Sequence, residues 1–427
     1  MIYKFHKLDS EEERVIGMIE KTRESLRWVT HDAARWEGLL RRSLFARAIR
    51  ASNSIEGHNV SLDDVIAAAA DGEPLSASEE DWQATIGYRN AMTYILQLAK
   101  DPYFTYSEGL IRSLHFMILR YSLAKHPGLW RPGVIYVRDE RIGEIVYEGP
   151  SADIVPSLMN ELISSLNETS NMPALVRAAM AHLNLAMIHP FSDGNGRMAR
   201  CMQTLVLARG GILAPEFCSI EEYLGNYTDD YYKILARVGK GKWNPKNDAR
   251  PWIRFSLKAH YHQAQKVLHR AKESSNVWQE LEELKTKHNL EERNLFALYD
   301  ATFGFRVRNS TYRAAAEISI NLASRDLKEL SDKGLLVPSG QGGGRYYTLS
   351  KILEKIRKKT REEDKLQDPF SDDIPEISAV RFPTQPATLQ QTYDPTSSPW
   401  VNTGTISSSA ITVSAATPKN VTINPKE

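Results

Sequence analysis

The strongest constraint on the fold is a polar, glycine-containing break between two helix-forming runs. Pro173 opens the first run, which continues to Ile188 with apolar residues at helical spacing (Leu175, Ala179, Leu183 and Ala186). The chain then reads HPFSDGNG from His189 to Gly196. A second helical run begins near Asn195 and ends at Gly210. The sequence therefore predicts two consecutive helices joined by a short polar turn.

The start of the second helix has the features of an anion site. Gly194 and Gly196 allow backbone N–H groups to approach a ligand closely. A helix N-terminus adds unpaired N–H donors and partial positive charge, which suit a phosphate group. Arg197 and Arg200 are three residues apart, so both can project from one side of the helix start and bind phosphate oxygens.

Two further side chains in the turn extend this chemistry. Asp193 is a hard oxygen ligand of the kind that holds Mg²⁺ together with substrate phosphates. His189 ends the first helix, where a neutral imidazole can take a proton from an attacking hydroxyl. The alternative is an ordinary helix corner with a glycine stop and surface arginines, which each residue taken alone would favour. The combined pattern favours phosphoryl-type transfer.

The segment from His189 to Arg200 resembles the Fic family signature, H-P-F-x-D/E-G-N-G-R-x-x-R, with every position filled. The surrounding helices, about residues 107–256, are similar to the Fic core. The resemblance implies a mainly α fold and an enzyme that transfers AMP from ATP to Ser, Thr or Tyr of a protein. The kinase-like Doc relatives carry Lys where this chain has Gly196, which disfavours phosphate transfer.

The resemblance also implies a role for each position of the motif. His189 is the implied general base, Asp193 the implied Mg²⁺ ligand and Arg200 the implied partner of the γ-phosphate of ATP. The implied anion cradle consists of Gly194, Asn195, Gly196 and Arg197.

An upstream segment, Ser52 to Gly57, fits the family's inhibitory motif, S/T-x-x-x-E-G/N. Ser52 and Glu56 are four residues apart, on one face of a helix predicted over about residues 41–57. If that helix packs on the site, Glu56 pairs with Arg200 and basal activity is low. In such relatives the same Glu can position water for AMP removal. The alternative is a surface carboxylate near a helix C-cap.

A β-hairpin is predicted between Val134 and Gly149, where two β-rich runs flank the turn-like Asp139 to Gly143. Fic proteins use such a flap to hold a target by strand addition. The flap end near the nucleotide, and an adenine-side Tyr, are implied at Val146, Tyr147, Glu148, Gly149 and Tyr231. The plain alternative is a surface hairpin, and Gly239 stands where some relatives have an Asn near the nucleotide.

The chain is expected to divide into four regions. An N-terminal helical region (1–100) carries the inhibitory helix and precedes the Fic core (101–270). A connector helix and a winged helix-turn-helix-like domain follow (271–355), and the Pro/Ser/Thr-containing tail (356–427) is expected to be disordered. From Glu291 to Lys351, basic residues exceed acidic ones by only two. We therefore expect protein docking or dimerisation there rather than DNA binding through Arg325, Lys328 and Arg345.

Composition limits the remaining function classes. The net charge of +1 argues for neither a nucleic-acid binder nor a membrane-surface protein, and the two cysteines cannot form a disulfide framework. His182 is predicted to be a packed core histidine rather than a metal ligand. We expect a cytoplasmic protein adenylyltransferase that uses ATP and Mg²⁺ and has no membrane span. The expected partner is a protein with a hydroxyl acceptor. Modification of the chain's own hydroxyl-rich tail and homodimerisation are left open. The alternatives are AMP removal at the same site, a DNA-binding regulator and a silent scaffold.

Overall fold

Helices provide nearly all of the regular structure, which confirms the mainly α prediction. The computed structural model describes residues 1–31, 36–70, 72–139, 144–211, 219–361 and 367–371. Within these residues the fifteen α-helices are α1 (Ser10–His31), α2 (Trp36–Ile55), α3 (Leu62–Ala69), α4 (Glu79–Leu98), α5 (Glu108–Leu119), α6 (Val155–Asn167), α7 (Ala174–Ile188), α8 (Asn195–Arg209), α9 (Glu221–Asn226), α10 (Thr228–Gly239), α11 (Arg250–His288), α12 (Asn294–Thr302), α13 (Asn309–Ala316), α14 (Ile320–Asp332) and α15 (Lys351–Thr360). The five strands in the same residues are β1 (Tyr136–Asp139), β2 (Glu144–Glu148), β3 (Gly241–Lys242), β4 (Leu336–Ser339) and β5 (Tyr346–Leu349).

The pair α7 and α8 forms the centre of the core, as the two helical runs predict. Apolar side chains of both helices are completely buried, among them Leu183, Ile188, Met198 and Leu205. Neighbouring helices cover the pair on several sides, and Trp252 of α11 donates its indole N–H to the carbonyl of Ala179 at 2.7 Å. The junction between α7 and α8 is therefore held by a packed helical framework rather than by a free loop.

Helix α2 is longer than the segment predicted for it. It begins at Trp36 and ends at Ile55, and Gly57 follows with a φ of +86°. Glycine adopts such a left-handed conformation at the lowest energetic cost, so the predicted stop is physically explained. The chain closes this end with a hydrogen bond from the Gly57 N–H to the carbonyl of Ser54 at 3.1 Å.

The predicted hairpin consists of β1 and β2, which pair antiparallel with Val137 opposite Tyr147. β3 adds to the other side of β2 in parallel, so that Tyr147 and Glu148 pair with Gly241 and Lys242. The short third strand was not predicted, because two residues carry no recognisable strand pattern. The turn residues 140–143 lie outside the described part of the chain.

Helix α11 crosses the expected boundary between the catalytic core and the connector helix. It runs without interruption through residue 271, because Val277, Trp278 and Leu281 continue its buried apolar stripe. After it come α12, α13, α14 and the β4–β5 hairpin. The sequence reading missed α13, a helix of eight residues. The assignment of this region as a winged helix stays a prediction.

The ordered chain also continues beyond the expected start of the tail. Helix α15 spans that boundary and buries Leu353 and Ile356, so the amphipathic pattern outweighs its many charges. Residues 362–366 and 372–427, where the predicted disorder falls, lie outside the described residues. Within the described residues, no helix is long and apolar enough to cross a membrane.

Candidate active site

The turn between α7 and α8 has a defined backbone conformation. His189 ends α7 with a φ of +52°, and its N–H donates to the carbonyl of Leu185 at 3.0 Å. Asn195 closes the turn, because its side chain accepts from the N–H of Phe191 and donates to the same residue's carbonyl, both at 2.9 Å. Gly194 has a φ of +75° and lies against Leu119, so a side chain there would be both strained and crowded.

The imidazole of His189 is oriented as a neutral base. Its Nδ1 lies 3.1 Å from the carbonyl oxygen of Ala186, which assigns the proton to Nδ1 and the lone pair to Nε2. Burial lowers the pKa of His189, so the ring is neutral near pH 7. Arg131 supports the turn by donating its Nε to the carbonyl of His189 at 2.8 Å. A ring in this state can accept a proton at Nε2.

Arg200 is hydrogen-bonded to the segment at the end of α2. Its Nε donates to Ser52 Oγ at 2.8 Å and its Nη2 donates to the Ser52 carbonyl at 2.9 Å. The same Nη2 lies 2.7 Å from Glu56 Oε1, where the arginine side chain is 1% exposed and the glutamate side chain 22%. Burial alone would lower the pKa of Arg200, but the Glu56 carboxylate raises it above its ordinary value. Arg200 is therefore fully charged and engaged by Ser52 and Glu56.

The Glu56 carboxylate also covers the start of α8. A Cβ atom added to Gly196 would lie only 2.2 Å from Glu56 Oε1. The carboxylate thus fills the space beside a helix N-terminus, which is where an anionic ligand would bind. Glu56 and an anion at this position exclude each other by volume and by charge.

Buried donors near this helix start lack partners among the described residues. Arg197 is 1% exposed, and its Nε and Nη1 have no hydrogen-bond acceptor in that part of the chain. The same holds for Nη1 of Arg200. A buried charged donor without a partner is energetically costly. These atoms are therefore suited to bind a polyanion such as a nucleoside triphosphate.

Asp193 is the residue of the turn that could hold a divalent cation. Its carboxylate is about one third exposed (36%) and its Oδ2 pairs with Lys125 Nζ at 2.8 Å. Burial would raise the pKa of Asp193, but Lys125 and Arg197 lower it, so the group is ionised. Within the described residues, no cluster of three or more His, Cys, Asp or Glu side chains could hold a metal. A single carboxylate fits Mg²⁺ that takes its remaining ligands from phosphates and water.

Sequence reasoning missed the residue that ties the turn to the loop after α5. His115 accepts from the N–H of Gly128 at Nδ1 (2.8 Å), and its Nε2 lies 2.9 Å from the carbonyl oxygen of Asp193. Its ring stacks on Phe191 with centroids 3.6 Å apart. Burial lowers the pKa of His115 to about 4, so the ring is neutral and its Nε2 donates. No local pattern could reveal a contact across 78 residues of sequence.

Among the four hairpin positions predicted near the nucleotide, Tyr147 contacts the end of α7. Tyr147 is buried and donates its hydroxyl to the carbonyl of Met187 at 2.8 Å, so it anchors β2 beside the end of α7. Gly149 donates its N–H to the carbonyl of Ile135 at 3.1 Å. Val146 is half-buried and Glu148 is exposed. Contact of these four positions with a nucleotide stays a prediction.

Tyr231 and His182 form a buried pair beneath the site. The Tyr231 hydroxyl lies 2.9 Å from His182 Nε2, and His182 Nδ1 contacts Gln203. Burial raises the pKa of Tyr231 to about 12 and lowers that of His182 to about 3. His182 is thus the packed histidine that was predicted. Tyr231 is 2% exposed in this conformation, and its predicted role beside adenine stays a prediction.

Comparisons with known proteins agree with this geometry. Residues 105–207 match the Fic/DOC family. The chain is similar to the protein adenylyltransferase Fic of Aedes aegypti, with 30% identity over 213 residues, which are 48% of this chain and 38% of that protein. It is also similar to protein adenylyltransferase fic-1 of Caenorhabditis elegans, with 26% identity over 227 residues, covering 52% of this chain and 41% of that protein. The chain thus spans about two fifths of the length of these curated relatives.

A solved structure supports the fold over a larger share of the chain. A Fic family protein from Desulfovibrio desulfuricans G20 superposes with a TM-score of 0.51 at 23% identity, over 81% of this chain and 98% of that chain. At this level of identity the likeness concerns the fold alone. The helical architecture is therefore that of a Fic-type fold.

Proposed function

We propose that this chain, which carries a Fic/DOC-family domain over residues 105–207, is a protein adenylyltransferase that moves AMP from ATP to a protein hydroxyl. The observation that carries the proposal is the complete segment from His189 to Arg200, folded with a neutral imidazole, a carboxylate, a helix N-terminus and two buried arginines at one turn. The similar proteins of Caenorhabditis elegans and Aedes aegypti are protein adenylyltransferases, which favours this transferase over a DNA-binding regulator. The activity of the whole protein is inferred and calls for a direct test.

Binding of the donor would begin at the start of α8. The backbone N–H groups there and the unpaired atoms of Arg197 would hold phosphate oxygens. Arg200 would bind the terminal phosphate once Glu56 releases it. Mg²⁺ bound at Asp193 would neutralise charge on the phosphates. These groups would orient the α-phosphate of ATP, and none of them would itself form or break a covalent bond.

The chemical step would use His189. A target Ser, Thr or Tyr hydroxyl would give its proton to Nε2 while its oxygen forms a bond to the α-phosphorus of ATP. The bond from the α-phosphorus to its bridging oxygen would break, and pyrophosphate would leave. The hydrogen bond from Nδ1 to the Ala186 carbonyl keeps the lone pair at Nε2. Removing this base would lower the rate by about 10²- to 10⁴-fold.

We further infer that the enzyme is autoinhibited by Ser52 and Glu56. The pair between Glu56 Oε1 and Arg200 Nη2 occupies the terminal-phosphate partner, and the carboxylate fills the space beside Gly196. A charge-assisted hydrogen bond of this kind contributes about 1–3 kcal/mol, which corresponds to about a 5- to 150-fold shift in the competent fraction. Releasing Glu56 should raise transfer by that factor.

The proposal extends to partners and location. The acceptor would be a protein, and the tail of this chain contains many Ser and Thr residues that would serve as targets for self-modification. We also propose that the protein is cytoplasmic, and that the region after α11 mediates protein docking or homodimerisation. DNA binding by that region is not favoured.

The test compares the wild type with Glu56→Gly and with Glu56→Gly combined with His189→Ala. Each protein is incubated with α-³²P-labelled ATP, Mg²⁺ and a cell lysate, and labelled protein is counted. Label that is weak in the wild type, strong in Glu56→Gly and absent in the double variant supports both transfer and inhibition. Glu168→Gly, which changes an exposed glutamate after α6, serves as the matched control and should behave like the wild type.

A parallel reaction of the purified proteins with γ-³²P-labelled ATP, without lysate and its kinases, distinguishes AMP transfer from phosphate transfer. AMP transfer leaves the γ-label in pyrophosphate, so protein should stay unlabelled. Protein labelled from the γ-position would overturn the proposed reaction. Absence of α-label from every variant would overturn the transferase function with ATP.

A further inference from the structure

The carboxylate of Asp193 is already paired with a cation that belongs to the chain. Lys125 Nζ lies 2.8 Å from its Oδ2. Its Oδ1 accepts a hydrogen bond from the N–H of Gly194 at 2.5 Å. Both oxygens of the candidate metal ligand are therefore engaged, one by Lys125 and one by the backbone of the turn.

Lys125 is brought to this position by a defined network. It ends the one-turn 3₁₀ helix Leu123–Lys125, which follows α5. Arg112 donates its Nε to the carbonyl of Gly128 at 2.7 Å, and the N–H of Gly128 donates to His115 Nδ1 at 2.8 Å. The other ring nitrogen of His115 contacts the carbonyl oxygen of Asp193. One imidazole thus joins the loop that carries Lys125 to the loop that carries Asp193.

An ammonium group and Mg²⁺ compete for such a carboxylate. Mg²⁺ binds carboxylate oxygens at about 2.0–2.1 Å and requires near-octahedral geometry. A second cation on the same oxygen would be repelled at short range. The side chains of Lys125 and Asp193 are 31% and 36% exposed, so water screens their pair and the lysine can leave. The arrangement is that of a displaceable competitor rather than a buried structural ion pair.

We propose, building on the transferase function above, that Lys125 is a resident cation on Asp193 that lowers the affinity of the site for divalent metal. Free Mg²⁺ would have to displace Lys125, and it would gain only one protein ligand, the Asp193 carboxylate. Mg²⁺ bound to ATP brings phosphate ligands of its own, which the start of α8 and Arg197 also hold. Lys125 thereby lowers the affinity for both forms of metal, and the phosphate contacts of the nucleotide-bound form offset that loss.

The experiment uses the full chain with Glu56→Gly, so that the inhibitory carboxylate is absent. In that background, Lys125→Met, Lys125→Arg and Asp193→Asn are compared with Lys100→Met, a charge-matched control at an exposed position after α4. Binding of Mn²⁺ alone is followed through the EPR signal of the free ion. Binding of ATP is measured by calorimetry with Mg²⁺ and, separately, with EDTA, after His189→Ala has been added to every variant so that ATP is not consumed by transfer.

Lys125→Met should bind Mn²⁺ and Mg²⁺–ATP about two- to fivefold more tightly, because the displaced pair is a screened surface one. Lys125→Met should not bind metal-free ATP more tightly than the Glu56→Gly parent. Lys125→Arg and Lys100→Met should have the same affinities as the parent. Asp193→Asn should weaken metal binding. Unchanged Mn²⁺ affinity in Lys125→Met would overturn the inference, as would weaker binding of ATP with and without Mg²⁺, which would make Lys125 a phosphate ligand. The Mn²⁺ arm involves no AMP transfer, so its result is separable from failure of the transferase function.

Discussion

Replacing Gly196 with alanine tests the contact between the Glu56 carboxylate and the start of α8. The new Cβ would lie 2.2 Å from Glu56 Oε1, far inside ordinary van der Waals contact. Since the carboxylate is the far end of a flexible side chain, it is the group that must move. Moving it breaks the 2.7 Å hydrogen bond to Arg200 Nη2. The broken contact is charge-assisted and partly buried, so its loss costs about 1–3 kcal/mol of unfolding free energy.

Gly196→Ala should no longer lower the free energy of unfolding when the Glu56 carboxylate is absent. Gly196 lies in the first turn of α8 and is not among the residues with positive φ, so alanine fits the backbone. Alanine in a helix is more favourable than glycine by up to about 1 kcal/mol. In a Glu56→Ala background, Gly196→Ala should therefore be neutral or stabilising.

A double-mutant cycle measures the difference. The free energy of unfolding is determined by chemical denaturation for the wild type, each single variant and the double variant. A coupling energy of about 1–3 kcal/mol between the two positions is expected. An equal effect of Gly196→Ala in both backgrounds would refute the reasoning, because Glu56 would then not occupy the space over α8.

Two further predictions concern buried charges away from the turn. Burial raises the pKa of Glu221 from 4.5 to about 7, so the folded protein keeps a proton that the unfolded chain loses as pH rises through this window. Stability should therefore fall between about pH 4.5 and 7, by at most about 3 kcal/mol, and Glu221→Gln should flatten that fall in pH-dependent thermal denaturation. Arg42 of α2 and Asp300 of α12 form an ion pair with both side chains almost fully buried. Arg42→Ala should cost about 3–5 kcal/mol because it leaves Asp300 unpaired, while Arg42→Ala with Asp300→Ala should cost less; equal costs in denaturation would contradict this account.

The local features of the site were readable from the sequence because they depend on short-range patterns. Helical periodicity on both sides of the HPFSDGNG segment predicted α7 and α8, and glycine predicted the end of α2. The residue types of the motif and the spacing of Ser52 and Glu56 predicted the candidate site residues. The sequence did not show that the core and the connector share one helix, α11, which is continuous because its buried apolar stripe is continuous.

The sequence by itself determined the mainly α fold, the helix–turn–helix junction and the set of side chains with phosphate chemistry. Tertiary structure decided which of them meet. The contact between Arg200 and Glu56 spans 144 residues, and that between His115 and Asp193 spans 78. It also decided that Lys125 pairs with Asp193, a contact no motif predicted. Such contacts depend on how separate helices pack, and helix packing is set by the whole core rather than by neighbouring residues in the chain.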